Sequence, residues 1–225
     1  MELRNYINGD FIDSLSKARI DVVNPANQRS VGLIDEALDE EIDLAFSAAS
    51  ASFKNRVLQD MDAVDKANMM RAIAVKLRHY KKIGAEILSK ENGKTVDQCG
   101  GEFDGAAAIF DYYAGLTDKI ENKLIPSGRD TFNYILLEPF GVSLQIVPWN
   151  YPIVIFASMT AQNLIVGNTM VIKPPELCPI SSNFFGKIFE EVGLPNGVIN
   201  IVHGYGEITG RKLVKHNNVD YIVFT

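Results

Sequence analysis

The sequence predicts an α/β fold in which a doubly wound parallel sheet follows a helical N-terminal part and a β arm. Near-continuous apolar strands alternate with helical segments from Gly141 onward, a pattern typical of parallel sheets covered on both faces. The segment 119–140 instead contains two β-prone runs joined by a turn, and the residues before it are mostly at helical spacing. We therefore predict three parts: 1–118 (a hairpin and helices), 119–140 (the β arm) and 141–225 (an α/β unit).

Composition excludes several classes of protein. The 225 residues are 47% hydrophobic, which is enough to bury a sizeable core. The net charge of −6 and a pI near 5.1 argue against a nucleic-acid partner, because no basic surface is available to neutralise phosphates. Two cysteines, Cys99 and Cys178, are too few and too far apart for a disulfide framework or a zinc site, so no metal is predicted. We expect no signal peptide, because the first residues lack an apolar run, and the longest apolar stretch, 152–166, is interrupted by polar residues. We expect a cytoplasmic protein.

The first part opens with a hairpin, since Tyr6–Ile12 places two short β runs around an Asn8-Gly9 turn. A turn at 24–27 and a short strand at 31–34 come next. Apolar residues at helical spacing then predict four helices. The first begins at residue 39, and the other three cover 63–80, 83–92 and 100–116. None of them carries chemistry by itself. Met69-Met70 and Tyr112-Tyr113 either line a pocket or pack in the core, and the core is favoured.

The segment 119–140 is predicted to form a two-stranded arm. Its β-prone runs, Ile120–Ile125 and Phe132–Leu137, are joined by Pro126–Asp130. An isolated two-stranded ribbon is only marginally stable in water. The arm is therefore expected to pair with another chain or with a later segment.

The last part is predicted to be the doubly wound unit. Its strands are expected at 142–147, 169–172, 198–202 and 221–224, and its helices at 153–166, 181–192 and 207–215. Ligands of such sheets bind beyond the carboxyl ends of the strands. Three polar or glycine-rich loops follow the first three strands: Pro148-Trp149-Asn150, Lys173-Pro174-Pro175-Glu176 and His203-Gly204-Tyr205-Gly206. The pattern therefore predicts a ligand site at this edge.

Four motifs in this part resemble those of the NAD(P)-dependent aldehyde dehydrogenases. They are Pro-Trp-Asn-Tyr-Pro at 148–152, the Gly-Asn-Thr to Lys-Pro-Pro-Glu run at 167–176, the Gly-Leu-Pro-Asn-Gly turn at 193–197 and the terminal Phe-Thr. Linked motifs in a consistent order are far more specific than a lone glycine-rich turn. The resemblance extends over the whole chain and is most specific from residue 138. It implies a Rossmann-like but incomplete aldehyde dehydrogenase fold, and a parent that oxidises an aldehyde to a carboxylic acid with NAD, or with NADP.

The resemblance assigns a catalytic role to one residue and a cofactor role to a pair. Asn150 matches the amide that stabilises the oxyanion formed when a thiolate adds to the aldehyde; the alternative is a cap at the strand end. Lys173 and Glu176 match the pair that binds the hydroxyls of the adenosine ribose; the alternative is a surface ion pair. A carboxylate at Glu176 would repel a 2′-phosphate, so NAD is favoured over NADP.

Further site residues are also implied by the resemblance. Trp149 is expected in the wall of the cofactor cleft, or alternatively in the core, and Tyr151 in a substrate tunnel. The remaining cofactor residues are expected to be Ile146, Val147, Pro148, Gly206, Gly210, Phe224 and Thr225. The two glycines would allow the next helix to approach the adenosine half, and the last two residues precede a helix start that supports the pyrophosphate.

The resemblance further implies a cysteine nucleophile and a glutamate base, both located after the position of Thr225. Cys99 belongs to the helical part, and Cys178 follows Glu176 at the adenosine end, so it is expected far from the point of hydride transfer. We therefore expect a truncated, split or partial chain that does not oxidise aldehydes alone. The alternative is a non-catalytic remnant or a partner of a complete paralogue. The complete parent is expected to be a dimer or tetramer, and the isolated chain to associate through its unpaired strands.

Overall fold

The computed structural model describes residues 2–14 and 18–225 of the chain. Within these residues the strands, numbered in chain order, are β1 (Glu2–Leu3), β2 (Asn5–Ile7), β3 (Asp10–Ile12), β4 (Arg19–Val23), β5 (Ser30–Asp35), β6 (Lys123–Ile125), β7 (Asn133–Ile135), β8 (Val142–Ile146), β9 (Thr169–Lys173), β10 (Ile199–Ile201) and β11 (Tyr221–Phe224). The α-helices are α1 (Asp39–Lys54), α2 (Ala63–Asn92), α3 (Val96–Ala114), α4 (Pro152–Val166), α5 (Asn183–Glu191) and α6 (Arg211–Val214).

The main sheet has six strands in the order β11-β8-β9-β10-β2-β3. Strands β8 to β11 pair in parallel, which confirms the predicted parallel sheet. The N-terminal hairpin extends this sheet, because β2 pairs antiparallel with β10 and places Tyr6 opposite Ile201. Its turn is built as predicted, with positive φ at Asn8 (55°) and Gly9 (92°), the requirement of a tight hairpin turn. The three-part division of the chain remains a prediction.

Apolar side chains cover both faces of the sheet. On one face the core joins α2, α3, α4 and α5, and the rings of Phe156 and Phe185 stack with centroids 4.1 Å apart. The other face is covered by α1 and α6 through Phe46 and Leu213. Of the residues assigned to a pocket or to the core, Met70 is buried in the first cluster whereas Tyr112 is exposed. No helix within the described ranges is long and apolar enough to cross a membrane.

The prediction of two helices at 63–80 and 83–92 is wrong, because α2 is a single helix of 30 residues. The gap predicted at 81–82 is helical, and Leu77, Ala85 and Leu88 continue the buried stripe across it. Gly84 does not interrupt the helix. It makes room for α3, since a Cβ at Gly84 would lie 2.2 Å from Cζ of Phe103. The true end is Gly93, whose φ of 91° is the left-handed conformation typical of a helix stop.

The predicted helix at 207–215 is also different in the structure. Gly206–Gly210 forms a π-helical turn, in which the Gly210 N–H donates to the Tyr205 carbonyl five residues earlier, and only then does α6 begin. Within this turn Thr209 is buried, and its hydroxyl donates to the Ala37 carbonyl at 3.0 Å. This contact is made across the fold and has no signature in the local sequence.

The arm is a separate two-stranded antiparallel sheet formed by β6 and β7, which confirms the predicted ribbon. Its apolar side chains face solvent: Phe132 is 77% exposed, and Leu124, Leu136 and Leu137 are also exposed. In the part of the chain that the structure describes, no third strand pairs with it. The arm therefore offers apolar surface and free strand edges for association.

Candidate functional site

Three loops meet at one edge of the main sheet, as predicted. β8, β9 and β10 are neighbours and run in the same direction, so the residues that follow them lie side by side. Ile146 is opposite Lys173, and the Val147 N–H donates to the Lys173 carbonyl at 3.0 Å, which continues the pairing one residue past β8. The Trp149–Asn150 loop and the Lys173–Glu176 loop are consequently adjacent.

Lys173 and Glu176 form an ion pair with further partners in the next loop. The Lys173 ammonium donates to Glu176 Oε2 at 2.8 Å and to the Pro174 carbonyl at 3.1 Å. The other carboxylate oxygen, Oε1, accepts from the Gly206 N–H at 3.2 Å. The two residues therefore place a cation and an anion together at the sheet edge, and their role toward a ribose stays a prediction.

This pair is not an ordinary surface ion pair, because the Lys173 side chain is only 2% exposed while Glu176 remains partly open to solvent. Burial disfavours the charged Glu176 carboxylate, but the hydrogen bond and charge of Lys173, with the Gly206 N–H, outweigh it and lower its pKa below the ordinary value. Glu176 is therefore ionised at neutral pH, and its partly exposed carboxylate can accept hydrogen bonds from a ligand.

Gly206 and Gly210 lie around this pair. A Cβ at Gly210 would be 3.6 Å from Cδ of Lys173, so the backbone of the π-helical turn packs directly on the lysine stem. Gly206 is exposed, and a Cβ there would meet nothing closer than Glu176 Oε1 at 3.7 Å. No side chain of Gly206 or Gly210 therefore covers the ion pair, and a ligand can reach it.

The loop formed by Trp149, Asn150 and Tyr151, called the Asn150 loop below, is exposed to solvent. Trp149 is 59% exposed, so the alternative that it belongs to the core is wrong. Asn150 is exposed, and its side chain has no hydrogen-bond partner among residues 2–14 and 18–225, which gives no support to a capping role. Its amide is free to donate to a ligand. Tyr151 precedes α4 and is also exposed.

The remaining predicted residues border the same edge. Val147 is buried, and Ile146 and Pro148 are partly exposed. Phe224 ends β11 opposite Ile146 and is 73% exposed, and Thr225 beside it is exposed as well. β11 lies on the far side of β8 from the ion pair, so these two residues border the site on the Asn150 side.

Both cysteines are poorly suited to act as nucleophiles. Burial raises the pKa of Cys99 to about 11 and that of Cys178 to about 12, so neither is a thiolate at neutral pH. Cys178 contacts the neighbouring loop, since its Sγ lies 3.6 Å from the Trp149 carbonyl oxygen. Its distance from the point of hydride transfer stays a prediction.

Two titratable groups near the site, His203 and Glu91, are buried. Burial and the Lys173 charge lower the pKa of His203 to about 3, so this imidazole stays neutral and cannot act as a general acid. Glu91 accepts from the Ile180 N–H at 2.7 Å and the Ser181 N–H at 2.8 Å, and burial raises its pKa to about 7. Glu91 thus anchors the segment that follows Glu176. A buried carboxylate at a helix end has no distinguishing pattern in the sequence.

Three residues that the sequence did not assign to the site surround the Asn150 loop. Asn92, Lys94 and Glu102 come from the end of α2, the connection to α3 and α3 itself, and all three contact the main chain of residues 149–153. The connection is recognisable from Gly93 and from Thr95, which caps α3 by accepting from the Gln98 N–H. Its proximity to Asn150 arises only from tertiary packing.

The geometry agrees with comparisons to known proteins. A family model described as "Aldehyde dehydrogenase family" matches residues 11–225. Retinal dehydrogenase 2 of Homo sapiens is 37% identical over 222 residues, and the peroxisomal aminoaldehyde dehydrogenase 1 of Pisum sativum is 36% identical over 227. Each match covers 98% of this chain but 43% and 45% of the relative, respectively. The chain thus spans less than half the length of these relatives.

Solved structures give the same result. The NAD+ complex of an aldehyde dehydrogenase from Bacillus cereus superposes with a TM-score of 0.95 at 32% identity. The similarity covers 99% of this chain and 45% of that one. A betaine aldehyde dehydrogenase from Staphylococcus aureus, also in complex with NAD+, gives a TM-score of 0.93 at 33% identity.

Proposed function

The chain belongs to the aldehyde dehydrogenase family, and on that premise we propose that it forms the cofactor-binding and oxyanion-stabilising part of an enzyme that oxidises an aldehyde to a carboxylic acid. The observation that carries the proposal is the adjacency of two features. The buried Lys173 ammonium with its Glu176 carboxylate lies on one loop, and the free Asn150 amide lies on the neighbouring one. The ion pair can bind the hydroxyl groups of a dinucleotide, and the amide can donate a hydrogen bond to a developing oxyanion.

The residues at the sheet edge fit the adenosine half of a dinucleotide. Lys173 supplies a donor and Glu176 an acceptor for ribose hydroxyls, and the open backbone at Gly206 leaves room for them. Ile146, Val147, Pro148 and Trp149 would line the cleft, with Phe224 and Thr225 at its far border. Bound NAD+ would accept the hydride from the substrate. The protein's contribution is to orient the cofactor against the Asn150 loop.

Asn150 would stabilise the negative oxygen formed when a nucleophile adds to the aldehyde. Its amide has no partner in the described residues and is exposed, so it can donate to this oxygen without breaking an existing bond. Tyr151, next to it, would border the substrate. Because Cys99 and Cys178 are buried thiols with raised pKa values, we propose that the thiolate and the base come from sequence outside these 225 residues.

Cofactor choice tests this proposal. We expect saturable NAD+ binding to the chain and weaker NADP+ binding, because the ionised Glu176 would lie near a 2′-phosphate. Glu176→Gln is expected to reduce the preference for NAD+ by roughly tenfold, since it removes the repulsion. Titration calorimetry with both cofactors measures the ratio, and Glu207→Gln, an exposed carboxylate in the following turn, is the control. Tighter binding of NADP+ than NAD+ by the unmodified chain contradicts the assignment, and no binding of either contradicts the cofactor site.

The arm is proposed to mediate assembly into a homo-oligomer. Its exposed apolar side chains and its two free strand edges support this role. Phe132→Glu with Leu136→Glu is expected to shift the protein toward a monomer in light scattering. Val64→Glu is the matched control, because Val64 is an apolar residue of similar exposure on α2, outside the arm. Unchanged mass in the arm variant, or an equal change in the control, would exclude the arm as the contact.

A further inference from the structure

The Lys94 ammonium makes three contacts around the Asn150 loop. It donates to the Asn150 carbonyl oxygen, pairs with Glu102 Oε1 at 2.5 Å and lies 4.0 Å from the centroid of the Tyr151 ring. Lys94 belongs to the α2–α3 connection, more than 50 residues before the loop. One side chain therefore links a distant part of the chain to both the main chain and the ring of the loop.

Glu102 extends this link to the start of α4. Its second oxygen, Oε2, accepts from the Ile153 N–H at 3.2 Å, and its side chain is only 3% exposed. Asn92 adds another contact, since its amide donates to the Trp149 carbonyl at 2.7 Å. Main-chain groups of Trp149, Asn150 and Ile153 are thus each bound by a side chain from residues 92–102.

These restraints determine how the Asn150 amide is directed. The amide itself has no hydrogen-bond partner within the described residues, so its direction depends on the conformation of the main chain that carries it. The carbonyl of the same residue is bound by Lys94, and the backbone three residues later is bound by Glu102. A largely buried ion pair contributes little net stability compared with apolar packing, whereas its directional hydrogen bonds favour one geometry.

We propose that Lys94 and Glu102 are positioning residues, which hold the Asn150 loop so that its amide is directed at the reacting oxygen. The role of Asn150 in this statement rests on the proposed function. The restraint on the loop does not, because it concerns only contacts within the chain.

Amide hydrogen exchange tests the restraint directly. Lys94→Met is expected to increase exchange of residues 149–156 by roughly tenfold or more, because a charged hydrogen bond and its ion pair are lost. The chemical shift of the Asn150 side-chain amide should move as well. Lys94→Arg should restore slow exchange, since a guanidinium can also bridge a carboxylate and a carbonyl. Lys81→Met is the matched control, because Lys81 of α2 pairs at 2.6 Å with Asp104, which lies on α3 like Glu102.

A double-mutant cycle tests whether the two residues act together. Glu102→Gln should also increase exchange in 149–156, and the double variant with Lys94→Met should add less than the sum. Unchanged exchange in Lys94→Met would overturn the proposal. So would an equal increase over the whole chain, or a similar local increase in Lys81→Met, since either would indicate general destabilisation.

Catalysis separates this proposal from the function on which it rests. In an aldehyde-oxidising polypeptide that contains this chain, Lys94→Met should lower kcat and leave the KM for NAD+ unchanged. If exchange changes as expected but Asn150→Ala leaves kcat unaltered, the restraint on the loop stands and the oxyanion role of Asn150 fails. If Asn150→Ala lowers kcat but Lys94→Met does not, the positioning role fails and the proposed function stands.

Discussion

Replacing Asn150 by alanine is expected to lower kcat for aldehyde oxidation by roughly a hundredfold or more, in a polypeptide that contains this chain and carries the activity. The amide has no hydrogen-bond partner among the described residues, so the substitution removes a donor to the transition state and breaks no existing hydrogen bond. Stability and cofactor affinity should therefore change little. Since the interaction is made only when the oxygen becomes negative, kcat and kcat/KM should fall together.

Asn150→Asp distinguishes loss of a donor from loss of side-chain volume. Aspartate keeps the shape of asparagine but presents a carboxylate, which would repel the oxyanion, so its kcat should be no higher than that of Asn150→Ala. Steady-state kinetics with NAD+ and a small aldehyde such as propanal provide the measurement. Asn217→Ala, at an exposed asparagine after α6, serves as the control. Wild-type turnover in both Asn150 variants would exclude the oxyanion role of Asn150.

Replacing Lys173 by methionine is expected to weaken NAD+ binding by roughly a hundredfold. Methionine matches the length of the aliphatic stem that packs on Gly210, but it removes the ammonium that pairs with Glu176 at 2.8 Å. The carboxylate would then lack its cation, and the ribose would lose a donor. The pKa of Glu176 should also rise, because Lys173 contributes to lowering it.

The single tryptophan makes this measurement direct. Trp149 borders the proposed cleft and is exposed, so bound NADH should quench its emission and accept its excitation energy. Lys187→Met, which removes an exposed lysine from α5, controls for the change in net charge. Thermal unfolding of both variants separates lost affinity from lost stability. Equal NAD+ affinity in Lys173→Met and Lys187→Met would exclude Lys173 from the cofactor site.

Much of the candidate site could be predicted from sequence, since it depends on local order along parallel strands. Residues that follow neighbouring strands must lie at the same edge, so the strand pattern alone places Asn150 and Lys173 near each other. The ion pair of Lys173 with Glu176 is similarly local, being three residues apart. The burial of Lys173 could not be predicted, because it depends on the π-helical turn at Gly206–Gly210 that packs on its stem.

The error at α2 has the same origin. The sequence predicts two helices at 63–80 and 83–92, but the interior of α2 is decided by the buried stripe that α3 covers, and this stripe is uninterrupted. The contact of Cys178 Sγ with the Trp149 carbonyl oxygen, 29 residues away along the chain, likewise has no signature in the local sequence. In both cases a contact between distant segments decides what the local pattern does not show.

The sequence by itself determined the α/β class, the parallel sheet, the edge at which a ligand would bind and the family to which the chain belongs. Those conclusions rest on apolar periodicity and on motifs whose members are close along the chain. Only the tertiary structure decided that Asn92, Lys94 and Glu102 hold the Asn150 loop and that both thiols are buried and protonated. Burial and long-range hydrogen bonds depend on which segments pack together, and a single sequence encodes that packing only through the whole fold.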